Sequence, residues 1–297
     1  MVTMRERFYE TTVDLLERDE RVAVVIAEIG SSQLATAGAR ESDRYVNVGI
    51  REQLVVGVAS GLALAGFRPI VHSYAPFLVE RPFEMLKLDL GHQDLGAVLV
   101  SVGASYDAAA SGRTHQAPED VALVAALPGW HVYVPGHADE VEALLRHASI
   151  TNERAYLRLA DRSNQLARPT VAGRMSVERR GRDATVIAVG PMLDAVNEAT
   201  ADLDVTVLYA TTARPFDRAT VRRHAAERIV LVEPYLEGTS SSEVSAALAD
   251  IPHRLVAIGV PNVEHRRYGT WREHDRAHGL DAVGLRERIT RALLSTE

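Results

Sequence analysis

Arg44-Tyr-Val-Asn-Val-Gly-Ile-Arg-Glu52-Gln53 lies between a strand-like run and a helix of small residues, 52–64, in which Gly57 and Gly61 permit another element to come close. Glu52 opens that helix, where a carboxylate is favoured by the partial positive charge of the N-terminus; taken alone, it does no more than complement the helix dipole. Upstream, 7–18 has the spacing of an amphipathic helix and 22–26 is a short β-branched run of the buried parallel-strand kind. Downstream the rhythm repeats: strand 69–72, helix 81–90, strand 97–102, helix 118–126, strand 131–134, helix 139–147 and strand 155–159. Strands that alternate with helices predict a parallel sheet covered on both faces.

Apolar periodicity then lapses over 167–182, which carries Pro169, Gly173, Gly181 and five arginines (Arg168, Arg174, Arg179, Arg180 and Arg182), and reads as a linker. A second α/β unit follows, with strands at 185–189, 205–209, 229–232 and 254–258 and helices at 193–201, 218–226, 240–249 and 285–294. The expected organisation is therefore a first domain over 1–166, a linker over 167–182 and a second domain over 183–297. At 297 residues, 46% hydrophobic and 25% charged, the chain is long enough for two cores.

Composition removes several classes of function. The net charge of −7, with acids interspersed among the arginines, argues against broad nucleic-acid binding, although Lys87 is the single lysine among 33 basic residues. No run approaches the roughly 18 apolar residues of a membrane span, and the first twenty residues are charged throughout, so neither a membrane nor a secretory role is expected and the cytoplasm is the predicted compartment. Without cysteine there is no disulfide, thiolate nucleophile or zinc-thiolate site. Carboxylates, histidines, hydroxyls or a bound cofactor must carry the chemistry.

Two further segments stand out. Ser73-Tyr74-Ala-Pro-Phe77 runs from a strand end into a loop and on to Arg81-Pro82-Phe83-Glu84, and Ser111-Gly-Arg113-Thr-His115-Gln116 is a polar loop before a helix. Separately they read as core aromatics and a solvated histidine. Together and in order they resemble the transketolase family of thiamine diphosphate enzymes. Gly49-Ile-Arg-Glu52-Gln53 is similar to that family's Gly-[Ile/Val]-x-Glu-[His/Gln], Tyr74-Ala-Pro-Phe77 to its aromatic platform, and Gly112-Arg-Thr-His115-Gln116 to its Gly-Pro-Thr-His-Gln loop. Ala213-Arg-Pro-Phe-Asp217 and Val232-Glu233 resemble motifs of its C-terminal domain, so the likeness spans about 4–294.

The resemblance implies two doubly wound α/β domains, a thiamine diphosphate pyrimidine-binding fold followed by a transketolase C-terminal domain. It implies that Glu52 faces N1′ of the cofactor's pyrimidine, where burial favours sharing a proton, and that Phe77 supplies the surface on which the ring stacks. Tyr74, Arg81 and Glu28 are implied as neighbours of the cofactor, and His115 as the group facing the substrate's carbonyl and hydroxyl. The family's Gly-Asp-Gly motif, which holds diphosphate and a divalent metal such as Mg2+, does not occur in this sequence. The resemblance therefore implies a beta-type subunit with no metal ligands of its own, completed by an alpha-type partner in an α2β2 assembly, that moves a two-carbon ketol unit from a ketose to an aldose. The beta subunit of a 2-oxoacid dehydrogenase decarboxylating component and a deoxyxylulose-phosphate synthase-like enzyme are the alternatives.

Departures from the family pattern bear on the substrate. Ser111 and Arg113 stand where sugar-phosphate transketolases have Asp and Pro, and Gly103 stands where they carry a histidine. If Arg113 faces the substrate it offers a positive fork suited to a carboxylate, sulfonate or phosphate. Arg158 and Arg162 lie near the family's phosphate-binding arginine and are candidates for that role.

Overall fold

The computed structural model describes residues 2–36 and 42–294. In the first half, α1 (Met4–Arg18), β1 (Val22–Ile26), α2 (Ser31–Thr36), β2 (Tyr45–Asn47), α3 (Glu52–Leu64), β3 (Arg68–Tyr74), α4 (Phe83–Met85), β4 (Ala97–Val102), α5 (Asp120–Ala125), β5 (Trp130–Tyr133), α6 (Ala138–Ile150) and β6 (Arg154–Arg158) follow the predicted alternation. The second half consists of β7 (Met175–Arg179), β8 (Ala184–Val189), α7 (Leu193–Ala199), β9 (Val205–Ala210), β10 (Thr212–Arg214), α8 (Arg218–His224), β11 (Arg228–Leu236), α9 (Ser241–Ala247), β12 (Arg254–Val260), α10 (Trp271–His278) and α11 (Ala282–Leu294).

Two sheets result, ordered β10-β5-β6-β4-β3-β1-β2 and β12-β11-β8-β9-β7. Every pairing is parallel except the two at sheet edges, β10 with β5 and β7 with β9. Side chains alternate between faces along each strand. In the first sheet Val24, Ile26, Val98, Val100 and Leu157 pack under α1 and α6, while Val25, Val71, Leu99 and Tyr156 pack under α3 and α5. That second cluster continues without a break into the face of the second sheet covered by α8 and α9, through Ile187, Leu208 and Leu231. Parallel strands buried on both faces account for the continuous β-branched runs in the sequence.

The structure departs from expectation where partners are distant or geometry irregular. Met175–Arg179, inside the stretch expected to be a linker, is the edge strand β7; only Met175 of its five residues is buried, so it carries no apolar run to read. β10 leaves the second half of the chain and closes the edge of the first sheet, pairing Thr212 with Tyr133. The regular helix expected over 81–90 is instead a short α4 between two wide turns, Pro76–Glu80 and Leu86–His92, with the Arg81 amide donating to Pro76 O five residues back at 3.2 Å. Pro82 has no amide proton to continue an α-helical ladder, and such wide turns frequently occur at functional sites.

Candidate active site

Four neighbouring strands deliver the predicted residues to one edge of the first sheet. Glu28 follows β1, the turn before Glu52 follows β2, Tyr74 ends β3, and the loop to His115 follows β4, all at carboxyl ends, where open parallel sheets bind ligands. Gly49 makes the turn possible with φ of +72°, a conformation that favours glycine, and Asn47 Oδ1 accepts from the Gly49 amide at 3.0 Å. The Arg51 side chain does not cap α3, so Glu52 is the first side chain of the helix to face inward; it is 3% exposed.

Among the described residues the Glu52 carboxylate has one side-chain partner. Arg81 Nη1 donates to both of its oxygens at 3.1 Å, and the Arg81 guanidinium carbon lies 3.9 Å from the centre of the Phe77 ring. The Phe77 ring in turn meets the His115 ring edge to face at 4.9 Å, and Tyr74 meets both, at 6.0 Å from Phe77 and 5.6 Å from His115. His115 Nδ1 lies 3.0 Å from Thr114 Oγ1. Glu52, Phe77, Tyr74, Arg81 and His115 therefore form one connected group. A buried carboxylate, a half-buried aromatic ring and an imidazole lie together at the carboxyl ends of the strands, groups able to stack a flat heterocycle and move a proton beside it.

The other predicted residues fall elsewhere. Glu28 is exposed, its Oε2 accepting from Asn47 Nδ2 at 3.0 Å, so that Asn47 joins it to the turn that presents Glu52. Its φ of +71° is uncommon for a non-glycine residue, and such conformations gather at functional sites. Ser111 is exposed in the loop. Arg113, expected to turn a free cationic fork toward a substrate, is engaged: Nη1 donates to Gln116 O at 2.7 Å, Nη2 to Glu119 Oε1 at 2.8 Å, and Nε lies 3.6 Å from Glu264 Oε1. Two carboxylates stand against it, so the fork is engaged rather than free. Arg113→Ala should consequently change kcat/KM for an anionic donor by less than about threefold, the scale of an exposed ion pair; a tenfold loss in steady-state rates with such a donor would restore the fork.

Arg158 is engaged more deeply. It is 1% exposed, its Nε donates to Asp120 Oδ2 at 2.7 Å and its Nη2 to Ser105 Oγ at 2.6 Å, and its guanidinium carbon lies 5.5 Å from the centre of the Tyr235 ring. Tyr156 also donates to Asp120 Oδ2, at 2.7 Å, and burial together with that carboxylate pushes its hydroxyl pKa well up. This network reaches the second half of the chain at Tyr235 and at Pro234, whose carbonyl accepts from Ser105 Oγ at 2.7 Å. Arg162 is similarly occupied, donating to Asp275 Oδ2 at 2.7 Å, while Tyr106 donates to Asp275 Oδ1 at 2.5 Å.

Three contacts appear only in the folded chain. Gly103, at φ of +73°, lies so close to Tyr74 that a Cβ there would be 2.5 Å from Cδ1 of the ring, so the missing side chain is what admits the tyrosine. Tyr268, from the second half of the chain, lies over Gly112, where a Cβ would meet its ring at 3.0 Å. Gln116 Nε2 donates to Arg267 O at 3.0 Å, tying the His115 loop to the same distant segment. Among the described residues no three His, Asp or Glu side chains are placed to hold a metal ion, and no helix is long and apolar enough to cross a membrane.

Fold and site together define a two-domain α/β protein with a buried acid and an aromatic ring at the carboxyl ends of its strands. The family model of the transketolase pyrimidine-binding domain matches residues 1–165, and that of the transketolase C-terminal domain matches 173–283. The chain belongs to the transketolase family. It is 46% identical over 95% of its length to an uncharacterized 33.6 kDa protein in the fasciation locus of Rhodococcoides fascians, covering 92% of that protein. It is 27% identical to an apulose-4-phosphate transketolase subunit of Phocaeicola vulgatus over 96% of each chain. It is also 30% identical to the 1-deoxy-D-xylulose-5-phosphate synthase of Acidovorax ebreus over 97% of this chain, but spans only 47% of that enzyme. Among solved structures, a split-gene transketolase determined as an inactive β4 tetramer superposes with a TM-score of 0.85 at 26% identity, over 98% of each chain.

Proposed function

We propose that this chain is the β-type subunit of a thiamine diphosphate-dependent split transketolase, which transfers a two-carbon ketol unit from a ketose or ketose phosphate to an aldose. The observation that carries the reading is the buried Glu52 carboxylate beside the Phe77 face, with His115 4.9 Å from that ring. These residues fit the pyrimidine end of the cofactor: the acid's side-chain partner among the described residues is the half-exposed Arg81, and that guanidinium lies over the aromatic face. The likeness to split transketolase subunits supports an α-type partner that would hold the diphosphate and a divalent ion such as Mg2+, in an α2β2 assembly. The relevant surface of this chain is open and apolar: Ile50, Leu54 and Leu64 are 72%, 46% and 64% exposed, and no described residue lies within 4 Å of where a Cβ would stand at Gly57 or Gly61. An apolar face beside half a site fits a partner that completes the site.

Bound thiamine diphosphate would supply the carbanion that attacks the donor's carbonyl. Glu52 would hold or share a proton at the pyrimidine nitrogen it faces, its burial excluding water that would compete for it. Phe77 would fix the plane of the ring by stacking, worth on the order of 1 kcal/mol beyond buried area. His115, with a ring nitrogen near Thr114, would donate a hydrogen bond to the substrate's oxygen as charge develops or carry a proton from its hydroxyl. The proposed setting is the cytoplasm, with small sugars as substrates and neither nucleic acid nor membrane as a partner.

Calorimetric titration tests the division of labour. The isolated chain should bind thiamine diphosphate and Mg2+ weakly, offering mainly a stacking surface and one carboxylate, whereas mixing with the α-type partner should produce tight binding and activity. Micromolar or tighter binding by the isolated chain would overturn the reading.

A further inference from the structure

The same site deepens that reading, on which the following rests. We propose that Arg81 is a place-holder: in the unloaded chain its guanidinium occupies the seat of the cofactor's aminopyrimidine between Glu52 and Phe77, and the side chain must swing out for the ring to enter. The geometry is specific. A flat, nitrogen-bearing cation sets its central carbon 3.9 Å from the Phe77 ring centre and one nitrogen 3.1 Å from each Glu52 oxygen. Stacking on Phe77 and hydrogen bonding to Glu52 are the two contacts the pyrimidine itself needs, and one group of similar shape makes both.

The asymmetry of exposure says which member of the pair moves. The Glu52 side chain is 4% exposed and held by the start of α3, whereas the Arg81 side chain is 46% exposed and reaches in from the surface. Withdrawing arginine into water desolvates nothing, while the carboxylate stays. The backbone need not follow, because Arg81 N is bonded to Pro76 O at 3.2 Å and Arg81 O accepts from Gln53 Nε2 at 3.5 Å. Until the cofactor arrives, the arginine spares a buried carboxylate from lying unpaired and keeps the platform covered. The cofactor's apparent affinity is then lowered by the fraction of molecules in which Arg81 is already withdrawn.

The test uses the complex with the α-type partner, titrated calorimetrically with thiamine diphosphate and Mg2+, for the wild type, Arg81→Ala and Arg81→Gln. If Arg81 is withdrawn about a tenth of the time, Arg81→Ala should tighten binding about tenfold. Arg81→Gln, which keeps a donor but loses the flat cation, should fall between and decides the matter if the alanine variant does not fold. Thermal unfolding adds a readout that a merely structural role would not move: both variants should lower the Tm of the unloaded complex more than that of the loaded one. Unchanged or weaker binding in both variants, or equal Tm losses in the two states, would overturn the place-holder while leaving the proposed function standing. A wild-type complex that fails to bind the cofactor at all would remove both.

Discussion

In the complex with its partner, Glu52→Gln should reduce turnover by about 10²–10⁴-fold, the range in which a positioned acid–base group contributes to a rate. Glutamine has the same shape, and Arg81 can still donate to its amide oxygen, so the helix start and the subunit assembly should survive; what disappears is the group able to hold and return a proton at the pyrimidine. The direct measurement is hydrogen–deuterium exchange at C2 of the bound cofactor's thiazolium, with size-exclusion chromatography as the control for assembly. Exchange at the wild-type rate would mean that the acid faces something other than the cofactor. A loss of assembly without a loss of exchange would make Glu52 a structural anchor.

The second large effect concerns stability. Arg158→Met should destabilise the chain by about 3–5 kcal/mol, because it strands the buried Asp120 carboxylate that Arg158 and Tyr156 both engage at 2.7 Å. Asp120→Asn should cost a comparable amount by stranding the guanidinium, which is 1% exposed. The double variant should cost less than the two singles added, since it removes both charges together. Denaturant midpoints of the four proteins check this, and a loss below about 1 kcal/mol in both singles would show that water reaches the pair.

Much of the architecture can be read locally because its cause is local. Helix α3 begins at Glu52 and ends at Leu64, as its small-residue pattern predicts, and the buried β-branched runs place β1 and β4 at their observed ends. Charged partnerships have no such signature. The sequence places Arg158 at a strand end, but its counter-ion is 38 residues away, and Asp275 lies 113 residues beyond Arg162; only the folded chain shows that Arg158 is paired inside the first half while Arg162 ties the first half to the second. The same holds for Arg113, whose loop position suggests exposure to substrate until Glu119 and Glu264 close on it. Within the candidate site, the order of the motifs brings Glu52, Phe77 and His115 into view, but the position of the Arg81 side chain depends on an irregular turn that no periodicity announces.

Strand β10 bears on how the chain can be dissected. Its three residues, Thr212–Arg214, complete the border of a sheet whose other strands all end by Arg158, and Thr211 O also accepts from the Val134 amide at 2.8 Å. A truncation anywhere in the 160s would free a cofactor-facing half whose β5 border carries unsatisfied amides and carbonyls, an open template for pairing with another chain. The two recognisable modules are thus sewn together by a thread from the second, and fragments meant to isolate the pyrimidine-facing half should self-associate unless they carry, or are supplied with, the segment that seals that border.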